Sequence, residues 1–489
     1  MTLSQGLLSF KIELTPTPLD VTAVGGLPLV VEAMRLLLSK RLYKRLRDAL
    51  GYRSYKVVQR HLESLVALVV AGGSCIDDLD TLRADPGLRK LLGYTPSSST
   101  QAKDFLYRFH QTEAGEPLPP EADGELAIRG VASIRPEGPG LRRLGAMVTA
   151  TVRRLQVLQP RHRATLDVDA TIIEAHKRYA LKAYEGTVGY QPQMAWWAEQ
   201  QVWVCGQFRD GNVPAAFQVK DFLQRAFGAV PGSVEQRRLR GDSALYDEEA
   251  LTWVDDQGIE FAVSADMSKS LAETVDAIPD DAWKPYRTLR RTEGKEEPPD
   301  AEERQWAEAG DFVPDWKRNR RKGGCPFRYV AIRVRSRQRD LLTDDQERWR
   351  HFAVVTNMDW QGERLLRWQR EKQGTVEHGH GVLKTDLAGG TLPCGRFGAS
   401  AAWWRINMLA HNLLQFLKLT VLPDELASCR PKALRFRLFR VAGWVVAHGR
   451  SLTLKLSAAF PLGGALVAAR QALVVMALQD RDGPSRAPT

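Results

Sequence analysis

The spacing of apolar residues changes several times along the chain, and the changes mark its parts. Leu8, Phe10, Ile12 and Leu14 alternate in a short β-type run that ends before Pro16 and Pro18. From residue 27 to 110 the period is helical. Leu29, Val30, Ala33, Met34, Leu37 and Leu38 form one stripe, and His61 to Ala71 form another. Between them, SKRLYKRLRDALGYRSYK crowds Lys and Arg onto one face. A polar cluster, SSST at 97–100, precedes DFLYRFH as a helix cap. Two readings stay open for this region: a helical domain with a solvated basic face, or a DNA-binding module with a helix in the groove. Residues 111–140, rich in Glu, Pro and Gly, have no apolar period and read as a linker. Leu144, Met147, Val148, Val152 and Leu155 then predict a helix from about 141 to 158.

Beyond Pro160 the period becomes two. ATLDVDATII (164–173) is a strand with Leu166 and Val168 on one side and Asp167 and Asp169 on the other. Residues 193–208 read as a hairpin of two further strands. A turn and helix follow, then a strand ending at Asp242, another helix, and the strand GIEFAVSAD. Three strands, helix, strand, helix, strand predict a mixed sheet in an α/β layer fold. After Asp266 the pattern breaks into charge, Pro and Trp, followed by the alternating strands FRYVAIRVRSR and RHFAVVTNM. The expected organisation is a helical region at 1–110, a linker at 111–140, an α/β domain at 141–266 that resumes at 361–425, a β-rich insertion at 267–360, and a basic region at 426–489.

Composition narrows the partner. The 489 residues are too many for one core. With 69 Lys and Arg against 58 Asp and Glu, the net charge is +11, which favours a polyanion, most often nucleic acid. The five cysteines are scattered and no CxxC pair occurs, so neither a disulfide framework nor a cysteine zinc site is indicated. The most apolar late segment, 458–478, is interrupted by Pro461, Gly463, Gly464 and Arg470 and does not read as a membrane span. A cytoplasmic protein is expected.

Candidate chemistry lies in the acids. Aspartate is depleted in strands. One at a strand end followed by small residues, as in Asp169-Ala-Thr and Asp242-Ser-Ala, suggests a carboxylate at the carboxyl edge of the sheet, where open α/β sheets place their sites. Asp167 faces the same side as Asp169 and is its rival. Glu377 stands alone between Lys372 and Asp386, ahead of the apolar helical pattern Ile406, Leu409, Leu413, Phe416 and Leu417, with Lys384 two helical turns on. Two aspartates and a glutamate would make an all-oxygen set suited to Mg²⁺ or Mn²⁺. Two such ions about 4 Å apart serve phosphodiester displacement. His378 and His380 flank the glutamate, and an HxH could bind metal, but on a helix the two lie on different faces and are expected at the surface or on phosphate.

The order Asp–Asp–insertion–Glu, with LDVDAT, RGDSALY and E-x6-K followed by TDLAGGTLPCGRFGASAAWWRINMLAHNLL, resembles the DDE transposases of bacterial insertion sequences. More narrowly it resembles the cut-and-paste group whose ribonuclease-H-like domain carries a β-strand insertion. The resemblance covers about 141–420. It implies a ribonuclease-H-like mixed-sheet catalytic domain with an N-terminal helical DNA-binding region, and a metal triad of Asp169, Asp242 and Glu377 holding two Mg²⁺ (or Mn²⁺) ions. It implies that Lys384 contacts the DNA end. The group's tyrosine and arginine ahead of the glutamate are here Arg370 and Gln373; Arg370 keeps a donor for phosphate, and Gln373 removes a charge. In the insertion, Trp306 and Trp316, near Arg318, Arg320 and Arg321, are candidates to stack on a flipped base or hold DNA, with small-domain core the alternative for the tryptophans.

The function so implied is a transposase that binds terminal inverted repeats of double-stranded DNA and works as a dimer on DNA, cleaving strands and joining them to a target. Arg435, Arg437, Arg440 and Arg450 of the basic C-terminal stretch are expected to hold DNA or the partner subunit. The rival readings are a metal-dependent nuclease or resolvase of the same fold, and a non-catalytic domesticated DNA-binding protein.

Overall fold

The computed structural model describes residues 20–119, 121–122, 132–286, 303–310, 312–314, 327–335, 349–449 and 451–482. A short strand β1 (Val21–Thr22) leads into α1 (Pro28–Leu37), α2 (Lys40–Leu50), α3 (Tyr55–Ala71), α4 (Leu79–Ala84), α5 (Pro86–Leu92) and α6 (Ser99–Tyr107). The polar cluster at 97–100 does cap α6. Ser98 Oγ accepts from the Gln101 amide at 3.2 Å, and the Gln101 side chain accepts from the Ser98 amide at 3.1 Å. In α2, Tyr43, Leu46 and Leu50 are buried while Lys40, Arg41, Lys44 and Arg45 face solvent.

Helix α7 (Pro139–Leu158) precedes the sheet strands β2 (Arg163–Ala170), β3 (Ile173–Glu174), β4 (Leu181–Lys182), β5 (Val188–Tyr190), β6 (Gln193–Trp197) and β7 (Val202–Gln207). Then come α8 (Val219–Ala229), β8 (Gln236–Gly241), α9 (Glu248–Asp256), β9 (Glu260–Ala265) and α10 (Lys269–Asp276). Strands β7, β6 and β2 form an antiparallel meander, and β8 and β9 continue parallel to β2, so the order is β7-β6-β2-β8-β9. This is the mixed α/β sheet of a ribonuclease-H-like domain. A side sheet pairs β3 and β4 with β5.

The insertion extends that sheet. Its strands β10 (Lys284–Pro285), β11 (Glu303–Glu308), β12 (Arg328–Arg335) and β13 (Arg350–Thr356) run antiparallel, and β13 pairs with β9 from Ala353↔Ala265 to Thr356↔Ala262. The β9 edge is thereby covered rather than left open to pair with another chain. Trp306 belongs to a small core with Val330, Val354, Leu365 and Leu366 and is 4% exposed. The core alternative holds for it, and base stacking does not. Trp316, Arg318, Arg320 and Arg321 lie outside the described residues.

Helices α11 (Gly362–Arg370), α12 (Lys372–Gly381) and α13 (Phe397–Thr420) return the chain to the sheet. Every residue of α13 from Phe397 to Leu417 is buried. A helix buried on all sides needs cover on all sides. It receives it from β7 and α7 and from the N-terminal helices α1, α3 and α6, all within one continuous core. The N-terminal helices and the main sheet therefore share a core, and the end of the intervening stretch, from residue 132, is pinned to it. Arg135 bonds Asp210 at 2.6 Å, and Glu137 pairs with Arg405. A buried amide ties α13 to the sheet: Asn412 accepts from the Trp203 amide and donates to its carbonyl, each at 2.9 Å.

The C-terminal region closes the molecule. After α14 (Pro431–Leu434), strands β14 (Gly443–His448) and β15 (Ser451–Leu456) form a hairpin that β1 joins. Helix α15 (Gly463–Asp482) lies beside α1, with Arg470 Nε 3.0 Å from Glu32. The expectation that this region's arginines hold DNA or a partner is corrected at two positions. Arg435 donates to the carbonyls of Val70 (2.7 Å), Val69 (3.2 Å) and Asp386, and Arg440 donates to that of Ala71 (3.2 Å). They satisfy the orphan carbonyls at the end of α3. Arg437 is exposed and bonds the Cys429 sulfur, and Arg450 lies outside the described residues. Among the described residues no helix is long and apolar enough to cross a membrane.

Candidate active site

Two adjacent parallel strands carry the central pair. Asp169 is near the end of β2, and Asp242 follows β8 directly, where its carboxylate caps the next turn by accepting from the Ala244 amide at 3.1 Å. The strands are in register with Asp167 opposite Arg240. With a side-chain period of two, Asp169 and Asp242 recur on the same face one repeat further along. Both carboxylates thus meet at the carboxyl edge of the sheet.

The rival, Asp167, is committed elsewhere. It is fully buried and takes both oxygens to Arg240, with Nε at 2.6 Å and Nη2 at 3.0 Å, and it also accepts the Thr375 hydroxyl. Arg240 in turn donates to the Trp368 carbonyl at 2.7 Å and to Glu371 at 2.8 Å. One guanidinium therefore clamps β2, β8 and the junction of α11 with α12. Gln369 adds a bond to the Gly241 carbonyl at 3.1 Å.

Helix α12 lies close over the sheet because Gly379 lacks a side chain: a Cβ there would stand 2.8 Å from the Trp203 ring and 3.1 Å from Trp196. Its inward face is Lys372, Val376, Gly379 and His380. His380, expected at the surface, is instead 5% exposed. Its ring stacks on Trp203 at 5.2 Å, and Nδ1 lies 4.0 Å from Asp169. Burial, aided by Lys384 and Lys372, lowers its pKa to about 3, so the ring is neutral. His378 is exposed.

Lys372 was not singled out by the sequence reading. Its ammonium lies 3.2 Å from Asp169 Oδ1 and 3.5 Å from Asp242 Oδ2. Burial works to lower its pKa, but Asp169 and Asp242 outweigh that and the net shift is upward. Burial raises Asp169 to about 6, with Lys372 opposing and Asp242 adding to the rise. The signal that could have found Lys372 is its helical spacing: residues 372, 376, 379 and 380 share one face, and that face is the one the sheet covers.

Glu377 sits on the same helix but is exposed, and it has no ion pair or hydrogen bond among the described residues. After α12 the chain loosens into a π turn over Val382–Asp386. Lys384 in that turn is half-buried, 3.5 Å from the Ile172 carbonyl, with its pKa lowered by burial. Arg370 is exposed at the end of α11, beside the buried Tyr286 phenol. The structure thus brings Asp169 and Asp242 together around one cation. Among the described residues, no group of three or more His, Cys, Asp or Glu side chains gathers to hold a metal ion.

The donor chemistry of the pair nevertheless suits a hard divalent ion. Two carboxylates converge on a single positive charge, and the neighbouring histidine is turned onto an indole.

A ribonuclease-H-like sheet with aspartates at the ends of its first and fourth strands defines a class of phosphoryl-transfer proteins. Within that class, residues 8–477 match the family described as transposase DDE domain group 1, and the chain belongs to it. It is a DDE transposase, a metal-dependent enzyme that cleaves DNA and transfers strands, and its cofactor is a divalent metal ion. No curated protein matches the chain in sequence. A solved structure similar to it is the cryo-EM structure of a piggyBac transposase synaptic complex with hairpin DNA. The two are 10% identical with a TM-score of 0.46, and the match covers 84% of this chain and 79% of that one.

Proposed function

We propose that the protein is the transposase of a bacterial insertion sequence, acting by cut-and-paste transposition in the cytoplasm on nucleoid DNA. Asp169, Asp242 and Glu377 are its catalytic acids and together hold two Mg²⁺ or Mn²⁺ ions. The observation that carries this reading is the convergence of Asp169 and Asp242, from neighbouring parallel strands, on one cation position. Divalent ions held there supply Lewis-acid stabilisation of charge on the phosphoryl oxygens.

The remaining roles follow from the resemblance to the family and from charge. Lys384, seven residues after Glu377, neutralises a phosphate of the element's end. Arg370 and, in the insertion, Arg320, Arg321 and Trp316 contact DNA. The N-terminal helices read the terminal inverted repeats, a role supported by the exposed cations of α2 (Lys40, Arg41, Lys44 and Arg45). Two ends need two sites, so the working form is a homodimer on DNA. Hydrolysis at each end forms a P–O bond from water as the bond to the 3′-oxygen breaks, leaving a 5′-phosphate and a 3′-hydroxyl that keeps the proton. That oxygen then attacks a phosphodiester, forming a new P–O bond as the old 3′-oxygen leaves with the proton.

The test is strand cleavage on DNA bearing the sequences that flank the gene, with Mg²⁺. Asp169→Asn, Asp242→Asn and Glu377→Gln should each cut the rate by about a thousandfold, the scale of several kcal/mol of lost charge stabilisation, with DNA binding kept. Full cleavage by the Glu377→Gln protein would remove that residue from the triad.

A further inference from the structure

The position between Asp169 and Asp242 is already filled by a charge that the chain supplies. Lys372 is the first residue of α12, directly after the Arg240-clamped junction with α11, and its side chain is 9% exposed. A buried ammonium is costly unless paired, and two converging carboxylates repel unless a cation lies between them. At 3.2 and 3.5 Å the lysine resolves both problems at once.

We propose that Lys372 is the resident cation of the metal-free site, holding Asp169 and Asp242 in place until a divalent ion displaces its ammonium. The proposal rests on the assignment of those aspartates as metal ligands. A hard divalent ion takes carboxylate oxygens at about 2.0–2.6 Å. An ammonium already paired with one oxygen of each carboxylate competes for the same space. Two like charges a few ångströms apart repel strongly in a half-dry site. Lysine suits the role because its charge is a point at the end of a flexible four-carbon stem, able to leave without moving the helix. The exit is on the Asp242 side, where that carboxylate is 50% exposed while Asp169 is 16% exposed. His380, the other nitrogen base near Asp169, is held by its stack on Trp203 and does not fill this place.

The test is Mn²⁺ binding to the full chain without DNA, read from the free-Mn²⁺ electron paramagnetic resonance signal. Lys372→Met should bind Mn²⁺ about tenfold or more tightly than the wild type, the effect of removing one close like charge. Equal or weaker binding would overturn the proposal. Asp169→Asn and Asp242→Asn should abolish binding in both backgrounds; if they leave it intact, the assignment of the metal ligands fails instead. A second measurement needs no variant. Acetic anhydride labelling of the wild-type protein, read by mass spectrometry, should rise several-fold at Lys372 when Mn²⁺ is added, and unchanged labelling would contradict displacement.

Discussion

Asp167 and Arg240 face each other across the parallel pair β2–β8, each two residues before one of the acids at the sheet edge, and they bond through both carboxylate oxygens at 2.6 and 3.0 Å. This buried pair locks the register that sets Asp169 beside Asp242. Arg240→Met would leave the Asp167 carboxylate buried without its counter-ion, at a cost of about 3–5 kcal/mol. Asp167→Leu together with Arg240→Met should recover most of that loss, because no charge is then stranded. Urea unfolding of the singles and the double checks this; simple additivity of the losses would show that the pair is not coupled.

Lys384 should contribute to DNA binding as a charge. Lys384→Ala is expected to weaken binding of every DNA sequence alike and to lower the slope of log K against log salt by about 1. Titrations at several salt concentrations decide it, and an unchanged slope removes Lys384 from the phosphate contacts.

Acid should loosen the N-terminal helices through His61. This residue is 8% exposed, bonded to Ser97 at 2.8 Å and stacked on Phe105, and burial lowers its pKa to about 4, with Arg108 adding to the shift. The folded value is below the unfolded one near 6.5. Its contribution is therefore complete above pH 6.5 and is lost as pH falls toward 4. By pH 5 one such site costs about 2 kcal/mol. His411, lowered to about 3 by burial, acts in the same direction. Thermal unfolding from pH 7 to 5 should show a falling midpoint, and His61→Gln should make the fall shallower.

Asn412 should be structurally essential although it is remote from the acids. Asn412→Leu would orphan the Trp203 backbone groups that its amide now pairs. Each buried group left unpaired costs about 1–3 kcal/mol. A thermal midpoint unchanged from the wild type would contradict this reading of the α13–sheet joint.

The main-sheet strands and helices between 164 and 266 are legible because period and strand-end aspartates are local signals, whereas the side sheet of β3, β4 and β5 is not, its two- and three-residue strands being too short to show a period. The tertiary merging of the N-terminal region with the catalytic sheet was not, since nothing in residues 111–140 announces that Arg135 and Glu137 are bonded to Asp210 and Arg405. Sequence spacing could not choose between Asp167 and Asp169, which face the same side. The partner Arg240, 73 positions later in sequence, makes that distinction. Lys372 escaped notice for the same reason: its two carboxylates come from strands about 200 and 130 residues earlier in the chain. Arg435 reads as a surface cation in a basic run, yet it closes the end of α3.

The most direct test of the account is strand transfer with a pre-cleaved DNA end. The purified full chain, Mg²⁺, a labelled end taken from the DNA flanking the gene and a target plasmid should give label joined covalently to the target, with none joined by the Asp242→Asn protein. Hydrolysis of DNA without any joining would contradict the assignment of this site to transposition.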